Sequence, residues 1–362
     1  MVNMKKAIFI TLLFIYLFLP GYTYAQQVEK SYEGTVRGSE EVECSEGLTE
    51  GYTCFEYLVE IDGTKETERT IPVMSEGSKP KFKDGDRVYI SQFDDGTELG
   101  SWSITGYIRE LPILILLLLF AFLSLAIGRR QGLGSLLSLV FTVFLLYSWA
   151  IPKILAGGDV MVIGIITVFI TLILIMYLSH GFKLKTTIAA VSTMIGISIV
   201  AILAKIFMNY INVDGSGSEE AFLLSSQTNG SINLSEVFFI SILIGAMGVM
   251  DDVVMSQVSS INELYTVNRN LSVKQLYSQA MNIGRDHIAS MINTLFIAYA
   301  GTSFALVMLL TFNTGGVGNI LKTDVIAEEI VRTFTASIGI LLIVPITTIM
   351  AAWLIPIFKP KD

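Results

Sequence analysis

Residues 238–265 read FFISILIGAMGVMDDVVMSQVSSINELY, and residues 282–301 read NIGRDHIASMINTLFIAYAG. Both segments are long enough and apolar enough to cross a lipid bilayer as helices. They also carry ionisable side chains at Asp251, Asp252, Glu263, Arg285 and Asp286. Because a charge in hydrocarbon is costly, ionisable residues in such segments are retained mainly for function. The two segments therefore predict a helical membrane protein whose functional residues lie here.

The composition indicates a membrane protein with a separate polar domain. The chain has 362 residues, of which 52% are hydrophobic and 15% charged, whereas soluble domains carry about 25% charge. Residues 26–110 are polar and acidic, and residues 111–358 are mostly apolar. We expect an extracytoplasmic β domain followed by a polytopic transmembrane helical domain in the lipid bilayer, with a cytoplasmic tail at 359–362. No cluster of Lys and Arg is present, which argues against nucleic acid as a partner.

The first 25 residues have the pattern of a signal peptide. Lys5 and Lys6 precede an apolar run at residues 7–19, and Thr-Tyr-Ala at residues 23–25 offers a small residue at the cleavage point. The apolar run is shorter than a spanning helix requires. We expect cleavage after Ala25. The alternative is an uncleaved anchor, which leaves the β domain on the same side of a bacterial cell membrane.

The polar domain alternates apolar and polar residues in short runs separated by turn signals such as Asp62-Gly63. Several short strands in one small domain favour a barrel of the OB or barrel-sandwich type. The domain acts either as a spacer or assembly domain or as a ligand or cation sensor. The predicted strands are Tyr32–Val36, Cys54–Ile61, Arg69–Val73, Arg87–Gln92 and Trp102–Ile108.

The two cysteines of the chain, Cys44 and Cys54, both lie in the polar domain. In an exported domain we expect them to form a disulfide, which contributes about 3 kcal/mol by the loop-entropy relation. The alternative is two free thiols. A zinc site is disfavoured because the polar domain contains no histidine.

Hydropathy predicts seven spans in the membrane domain. With the β domain outside, the inner loops and tail hold nine basic residues and the outer loops hold two. This asymmetry agrees with the positive-inside rule and places the C-terminus in the cytoplasm. The predicted spans are Pro112–Ile127, Leu133–Ile151, Val160–Leu178, Thr187–Met208, Glu236–Val258, His287–Phe312 and Val331–Pro356.

Two polar stripes enter the fifth and sixth predicted spans from the same side, since residues four, seven or eight, and eleven positions apart share a helix face. Because lipid exposure of these residues is costly, we expect the stripes to face the bundle interior and to form a pocket. Arg285, beside the second stripe, is a candidate partner for the acids of the first. The first stripe is Asp252, Ser256, Ser259 and Glu263, with Asp251 beside it, and the second is Asn282, Asp286, Ser290 and Asn293.

Several of these residues have structural alternatives. Asp286 also suits the N-cap of the sixth span, and Glu263 also suits a solvated position at the membrane surface. One of the two adjacent aspartates is expected only to cap or to form a salt bridge. Small residues that let helices approach closely are predicted at Gly245, Gly248, Gly284 and Gly301.

The sequence contains no H-E-x-x-H, G-x-S-x-G or Walker A motif. We therefore expect no catalytic residues and no cofactor, and the residues name no metal. The leading hypothesis is a transporter or permease for a small solute or ion, coupled to protons or a cation. The second is a membrane scaffold or accessory subunit that binds another copy or a partner membrane protein. The third is an intramembrane aspartyl hydrolase that uses Asp252 and Asp286.

The segments GAMGVMDDVVMSQVSSINEL (245–264) and GRDHIASMINTLFIAYAG (284–301) resemble the YibE/F-like bacterial membrane proteins. The phrase FKDGDRVYI at 82–90 extends the resemblance into the β domain. The resemblance implies a polytopic bacterial membrane protein, and it carries over no established catalytic residues.

Overall fold

A computed structural model describes residues 30–42, 52–62, 68–76, 80–93, 101–302, 304–314 and 322–359. The chain divides into two compact units at Leu123/Ser124. The first contains a β-sheet and the second a bundle of long helices. The predicted signal peptide lies outside the described residues, as does all of the predicted tail except Lys359.

The β-sheet has five antiparallel strands, in agreement with the five predicted strands. Their spatial order is β3-β2-β1-β4-β5, so β1 lies at the centre and pairs with both β2 and β4. Each observed strand extends beyond its predicted run at one or both ends. The last strand also ends one residue early, because it stops at Tyr107 and not at the predicted Ile108. The strands are β1 (Lys30–Val42), β2 (Tyr52–Ile61), β3 (Glu68–Glu76), β4 (Arg87–Phe93) and β5 (Ser101–Tyr107).

The sheet is curved into a half-barrel around an apolar core. The register of β1 shifts between Val36 and Gly38, and such a bulge bends a strand and increases its twist. At Gly34, an added Cβ would lie 2.7 Å from the carbonyl oxygen of Glu60, so only glycine allows this approach. Buried side chains from all five strands and from the loop before β4 fill the concave side, among them Tyr57 and Phe82.

Within this unit, a side chain of the sheet contacts the residue that begins the first helix. The Tyr89 hydroxyl donates a hydrogen bond to the Glu110 carboxylate, which raises the pKa of Tyr89 to about 12. The predicted disulfide is not tested, because Cys44 lies outside the described residues. Cys54 lies in β2, opposite Val42 of β1.

The second unit consists of long helices joined by short connections. Local side chains define several of their ends, as expected for helix caps. The Asp159 carboxylate accepts a hydrogen bond from the Val162 amide (2.8 Å) before α3, and Asn233 caps α6. The helices are α1 (Glu110–Leu145), α2 (Ile151–Leu155), α3 (Val160–His180), α4 (Leu184–Ile211), α5 (Glu219–Gln227), α6 (Leu234–Val267), α7 (Val273–Thr302), α8 (Phe304–Thr314) and α9 (Asp324–Phe358), with a π-helical turn between α1 and α2.

Five stretches within the described residues are long and apolar enough to cross a membrane. These are Glu110–Leu155, Val160–His180, Leu184–Ile211, Leu234–Val267 and Asp324–Phe358. They match the predicted membrane domain, but the predicted count of seven is not confirmed. The stretch His287–Phe312 is not among them: it is divided between α7 and α8, and α7 carries charged and amide side chains along one face.

The first stretch is far longer than one membrane crossing needs. Its 46 residues would extend about 70 Å as one helix, more than twice a hydrocarbon core of about 30 Å. At Arg129 the backbone leaves the helical region (φ 49°, ψ −121°), so α1 is two helical segments. This break falls between the two spans that the sequence predicts for this part of the chain.

The centre of the bundle is α6, which packs against α3, α4, α7 and α9. Met250 of α6 is fully buried. Two glycines allow neighbouring helices to approach it: a Cβ at Gly196 of α4 would lie 2.8 Å from its sulfur, and one at Gly339 of α9 would lie 2.9 Å from its methyl carbon. Small residues stabilise helix packing in membranes because they allow helices to approach this closely.

Of the four glycines predicted to pack against neighbouring helices, one is buried and three are exposed. Gly284 is buried, and a Cβ there would lie 3.0 Å from Val344 and 3.1 Å from the amide of Gln257. Gly245, Gly248 and Gly301 are exposed in the chain, and a Cβ at either of the last two would meet nothing within 4 Å. Sequence alone identifies small residues but not which of them face a neighbour.

Replacing Gly339 with Ala should destabilise the bundle, because the new Cβ would lie 2.2 Å from Cγ2 of Val200. Overpacking of this kind costs about 1–3 kcal/mol. Thermal unfolding of the full chain in detergent measures the change. The matched control is Gly248→Ala, which adds a methyl group in open space and should leave the unfolding temperature unchanged or slightly higher, since Ala favours helix. Equal unfolding temperatures for the two variants would contradict the packing described above.

Candidate functional site

The side of α6 that packs into the bundle is apolar apart from one amide. Its buried residues in the half nearer Val267 recur at helical spacing and include Met250, Val254, Val258 and Ile261. Gln257 lies among them, and its Nε2 donates a hydrogen bond to the Ala280 carbonyl of α7 (2.8 Å). The Gln257 amide therefore joins α6 to α7 by a hydrogen bond within an otherwise apolar helix contact.

Asp251 lies at the edge of this buried side. The residue is half-buried, and its Oδ1 atom is shielded from solvent. Within the part of the chain that the structure describes, that oxygen accepts no hydrogen bond. A shielded carboxylate oxygen without a hydrogen-bond partner is energetically unfavourable.

The first predicted stripe does not face the interior of the bundle, contrary to expectation. Asp252, Ser256 and Glu263 are exposed, and Ser259 is half-buried. Each α-helical residue turns the chain by about 100°, which places this stripe opposite the side that contains Met250 and Gln257. Periodicity correctly grouped the residues on one face, but the apolar opposite face packs against α4, α7 and α9.

The second predicted stripe is also on the outside of the single chain. Asn282, Asp286, Ser290 and Asn293 are all exposed on α7, and so is Arg285. The Arg285 guanidinium donates a hydrogen bond to the Asn282 side chain (3.2 Å). The proposed pairing of Arg285 with Asp251, Asp252 or Glu263 is absent from the contacts of the described residues. Asp286 lies within α7 and not at its start, so it is not an N-cap.

The structure does bring part of the first stripe into a surface groove. The groove has a volume of about 600 Å³ and lies between the ends of α6 and α7 that are joined by residues 268–272. Its polar lining includes Ser256, Ser259, Glu263 and Gln279, and Leu264 and Ile283 are among its apolar lining. The groove contains three residues of the first stripe and none of the second, so it is not the interior pocket that the two stripes predict.

Basic side chains gather at this end of the bundle. Lys185 Nζ of α4 donates to Ser259 Oγ (3.5 Å), and Lys359 Nζ donates to Asn262 Oδ1 (2.8 Å). His180 at the end of α3 is close enough to Asp252 for an electrostatic interaction. The exposed polar stripe of α6 is therefore bordered by two lysines and a histidine from three other segments.

The opposite end of the bundle contains a second acidic group. Glu328 of α9 is only 5% exposed, and its Oε1 accepts a hydrogen bond from the Gly217 amide (2.8 Å). This contact attaches the loop before α5 to α9. In the same loop the Ser216 hydroxyl and amide both donate to Asp214 (2.6 and 3.0 Å), which lowers the pKa of Asp214.

Sequence reasoning missed Gln257, Lys185 and Glu328. A helical wheel of α6 could have found Gln257, because it lies opposite the stripe among apolar residues. Glu328 lies before the predicted last span, Val331–Pro356, whereas α9 already begins at Asp324. The Lys185–Ser259 contact joins distant parts of the chain and leaves no local sequence signal.

The described side chains show no arrangement that assigns a metal or a cofactor. No group of three or more His, Cys, Asp or Glu side chains is placed to hold a metal ion in those parts of the chain. Asp252 and Asp286, the pair considered for a hydrolase, are both exposed and share no contact in the described structure. The geometry therefore offers no support for aspartyl catalysis.

Comparison with protein families decides the identity of the helical unit. A family model described as YibE/F-like protein matches residues 116–357. The chain belongs to the YibE/F-like family. The match covers most of α1 and all of the helices up to α9, whereas the phrase at 82–90 lies outside it. No curated protein and no solved structure matches the chain.

In this YibE/F-like protein, Asp251→Asn should stabilise the fold, because an amide removes a shielded, unpartnered charge. A buried polar group without a hydrogen-bond partner lowers the free energy of unfolding by about 1–3 kcal/mol. Unfolding temperatures of the full chain in detergent measure the effect. Asp252→Asn is the matched control: its side chain is exposed, so its unfolding temperature should equal that of the wild type. A lower unfolding temperature for Asp251→Asn would show that the carboxylate makes a stabilising contact.

Proposed function

We propose that this YibE/F-like membrane protein is a transporter of a small solute or ion, with Asp251 as the residue that binds a coupled proton or cation. The observation that supports the proposal is the shielded Oδ1 atom of Asp251, which lies on the central spanning helix without a hydrogen-bond partner in the described structure. Ionisable residues in such positions mark ion pathways and proton relays in membrane proteins.

The helices packed on α6 supply further polar groups to the interior. Five hydroxyl-bearing residues of α4 and α9 are fully buried, and among them the Thr186 and Thr347 hydroxyls have no hydrogen-bond partner in the described structure. Hydroxyl and carboxylate oxygens suit hard cations and proton transfer. The buried residues are Thr186, Ser192, Thr193, Thr347 and Thr348.

The proposed topology has seven spans, with the β domain outside and the C-terminus in the cytoplasm. The break at Arg129 supports two spans in the first apolar stretch, and α7 with α8 would form the sixth. The basic residues Lys185 and Lys359 border the same end of the bundle, which fits a cytoplasmic location for that end under the positive-inside rule. The groove lined by Ser256 and Glu263 would then open to the cytoplasm.

A membrane scaffold or accessory subunit is the second candidate. The exposed polar faces of α6 and α7 favour it, because polar residues at helix surfaces bind neighbouring helices in membranes. In that case, changes in Asp252 or Asp286 would alter assembly, and no solute would cross the membrane.

Flux through sealed proteoliposomes distinguishes these candidates. The liposomes contain a pH-sensitive dye and, in parallel preparations, dyes for Na⁺, K⁺ and divalent cations, and each gradient is imposed in turn. We expect wild-type protein to move one of these ions. Asp251→Asn should reduce the flux to that of empty liposomes, because it removes the proposed binding carboxylate.

The control for this assay is Asp252→Asn, which changes the adjacent, exposed aspartate and should retain flux. Reconstituted protein is checked by its unfolding temperature, so that loss of flux is not loss of fold. Equal flux from wild type and Asp251→Asn would contradict the role of Asp251. Absence of ion movement under every gradient would favour the scaffold.

A further inference from the structure

Helix α7 packs an apolar face against the bundle and exposes a polar face, whereas a helix that contacts lipid exposes an apolar face. Leu276, Ala280 and Gly284 are buried against the bundle, and Gln257 of α6 donates its hydrogen bond to α7 on this side. The opposite face is exposed and consists mainly of polar residues. We name it the α7 polar face; it comprises Asn282, Arg285, Asp286, Ala289, Ser290 and Asn293.

This face lies level with the middle of a spanning helix. A Cβ at Gly284 would lie 3.0 Å from Val344, and Val344 is close to the midpoint of α9, which runs from Asp324 to Phe358. The α7 polar face begins at Asn282 and continues past this level. A carboxylate and two amides exposed to hydrocarbon at that depth are unfavourable, so something other than lipid must cover them.

We propose that a second copy of this chain covers the α7 polar face, so that the protein is a homodimer with the two α7 helices side by side. A two-fold axis along the membrane normal sets the two helices parallel. With about 100° per residue, Asn282 and Asn293 lie along the centre of the face, with Arg285 at one edge, and Asp286 lies on the other side of the centre, towards Ser290.

The charges of the face are complementary to themselves under this symmetry. The two-fold axis places the Arg285 edge of each helix against the side of its neighbour that contains Asp286, at nearly the same height. In the described structure Asp286 makes no hydrogen bond or ion pair, and Arg285 donates only to Asn282 (3.2 Å), which leaves further guanidinium hydrogens for a carboxylate. Asn side chains both donate and accept, so the central amides can also pair with their own copies.

Small residues allow the two helices to approach. Ala289 lies between the two asparagines on the face, and Ser290 lies at its margin. Small and hydroxyl-bearing residues are enriched at helix–helix interfaces in membranes because they permit close contact and hydrogen bonding. The dimer does not depend on whether the protein transports an ion. It would place the groove lined by Ser256 and Gln279 beside the interface.

Cysteine cross-linking in native membranes tests the interface. Asn282→Cys, at the centre of the face, is oxidised with copper phenanthroline, and the product is analysed for a homodimer band by mass. The control is Ile202→Cys on α4, which is 60% exposed on a different surface. The wild-type chain, which contains only its two native cysteines, gives the background. We expect a dimer band from Asn282→Cys alone.

Charge reversal tests the pairing of Arg285 with Asp286. Single-molecule photobleaching of labelled protein in liposomes counts the copies in each particle. Asp286→Arg should shift particles from two copies to one, and adding Arg285→Asp should restore two copies, which also shows that the reversed chains fold. The control Glu220→Arg, at an exposed carboxylate of α5, should leave two copies.

Three results would overturn the proposal. The first is one copy per particle for wild-type protein. The second is cross-linking of Asn282→Cys that is no stronger than that of Ile202→Cys. The third is a cross-linked product whose mass identifies a different protein, which would make that protein the occupant of the face.

Discussion

The helical unit depends on how closely α4 and α9 approach α6 at Met250. Gly196 and Gly339 have no side chains that would hold these helices apart. The sulfur and methyl group of Met250 occupy the space beside them. In lipid there is little hydrophobic gain from bringing helices together, so packing of this closeness supplies much of their association. The contact also determines which side of α6 faces inward.

The orientation of α6 explains the positions of its two adjacent aspartates. Because Met250 is fully buried, the next residue lies at the edge of the packed side and the one after it lies on the exposed side. Asp251 therefore has a shielded oxygen, whereas Asp252 is exposed and close to His180. Two neighbouring residues of the same type thus have different surroundings.

Much of the fold could be predicted from the sequence because its signals are local. Alternation and turn residues predicted the five strands, and long apolar runs predicted the helices of the membrane domain. The resemblance in the segments at 245–264 and 284–301 agrees with the family match over residues 116–357. The number of spans was harder to predict, because α7 combines an apolar packing face with a polar face and has no uniform apolar run.

The site was predicted less well, for a physical reason. Periodicity shows that Asp252, Ser256 and Glu263 share a face, but it does not show what covers that face. The prediction assumed that polar residues turn inward within one chain. In the structure the inward side of α6 contains methionine, valine and Gln257, and the polar faces of α6 and α7 remain open. In the proposed dimer a second copy covers the α7 polar face, and contacts with another molecule leave no signal in the periodicity of a single chain.

Cysteine accessibility along α6 tests the orientation of the central helix most directly. Single cysteines are introduced one at a time, and their reaction with a water-soluble maleimide is measured in native membranes. The orientation described here predicts labelling with a helical period, strong at the exposed positions and weak at the buried ones. Strong labelling at the buried positions with protection of the exposed ones would contradict it. The exposed positions are Asp252, Ser256 and Glu263, and the buried positions are Val254, Gln257 and Ile261.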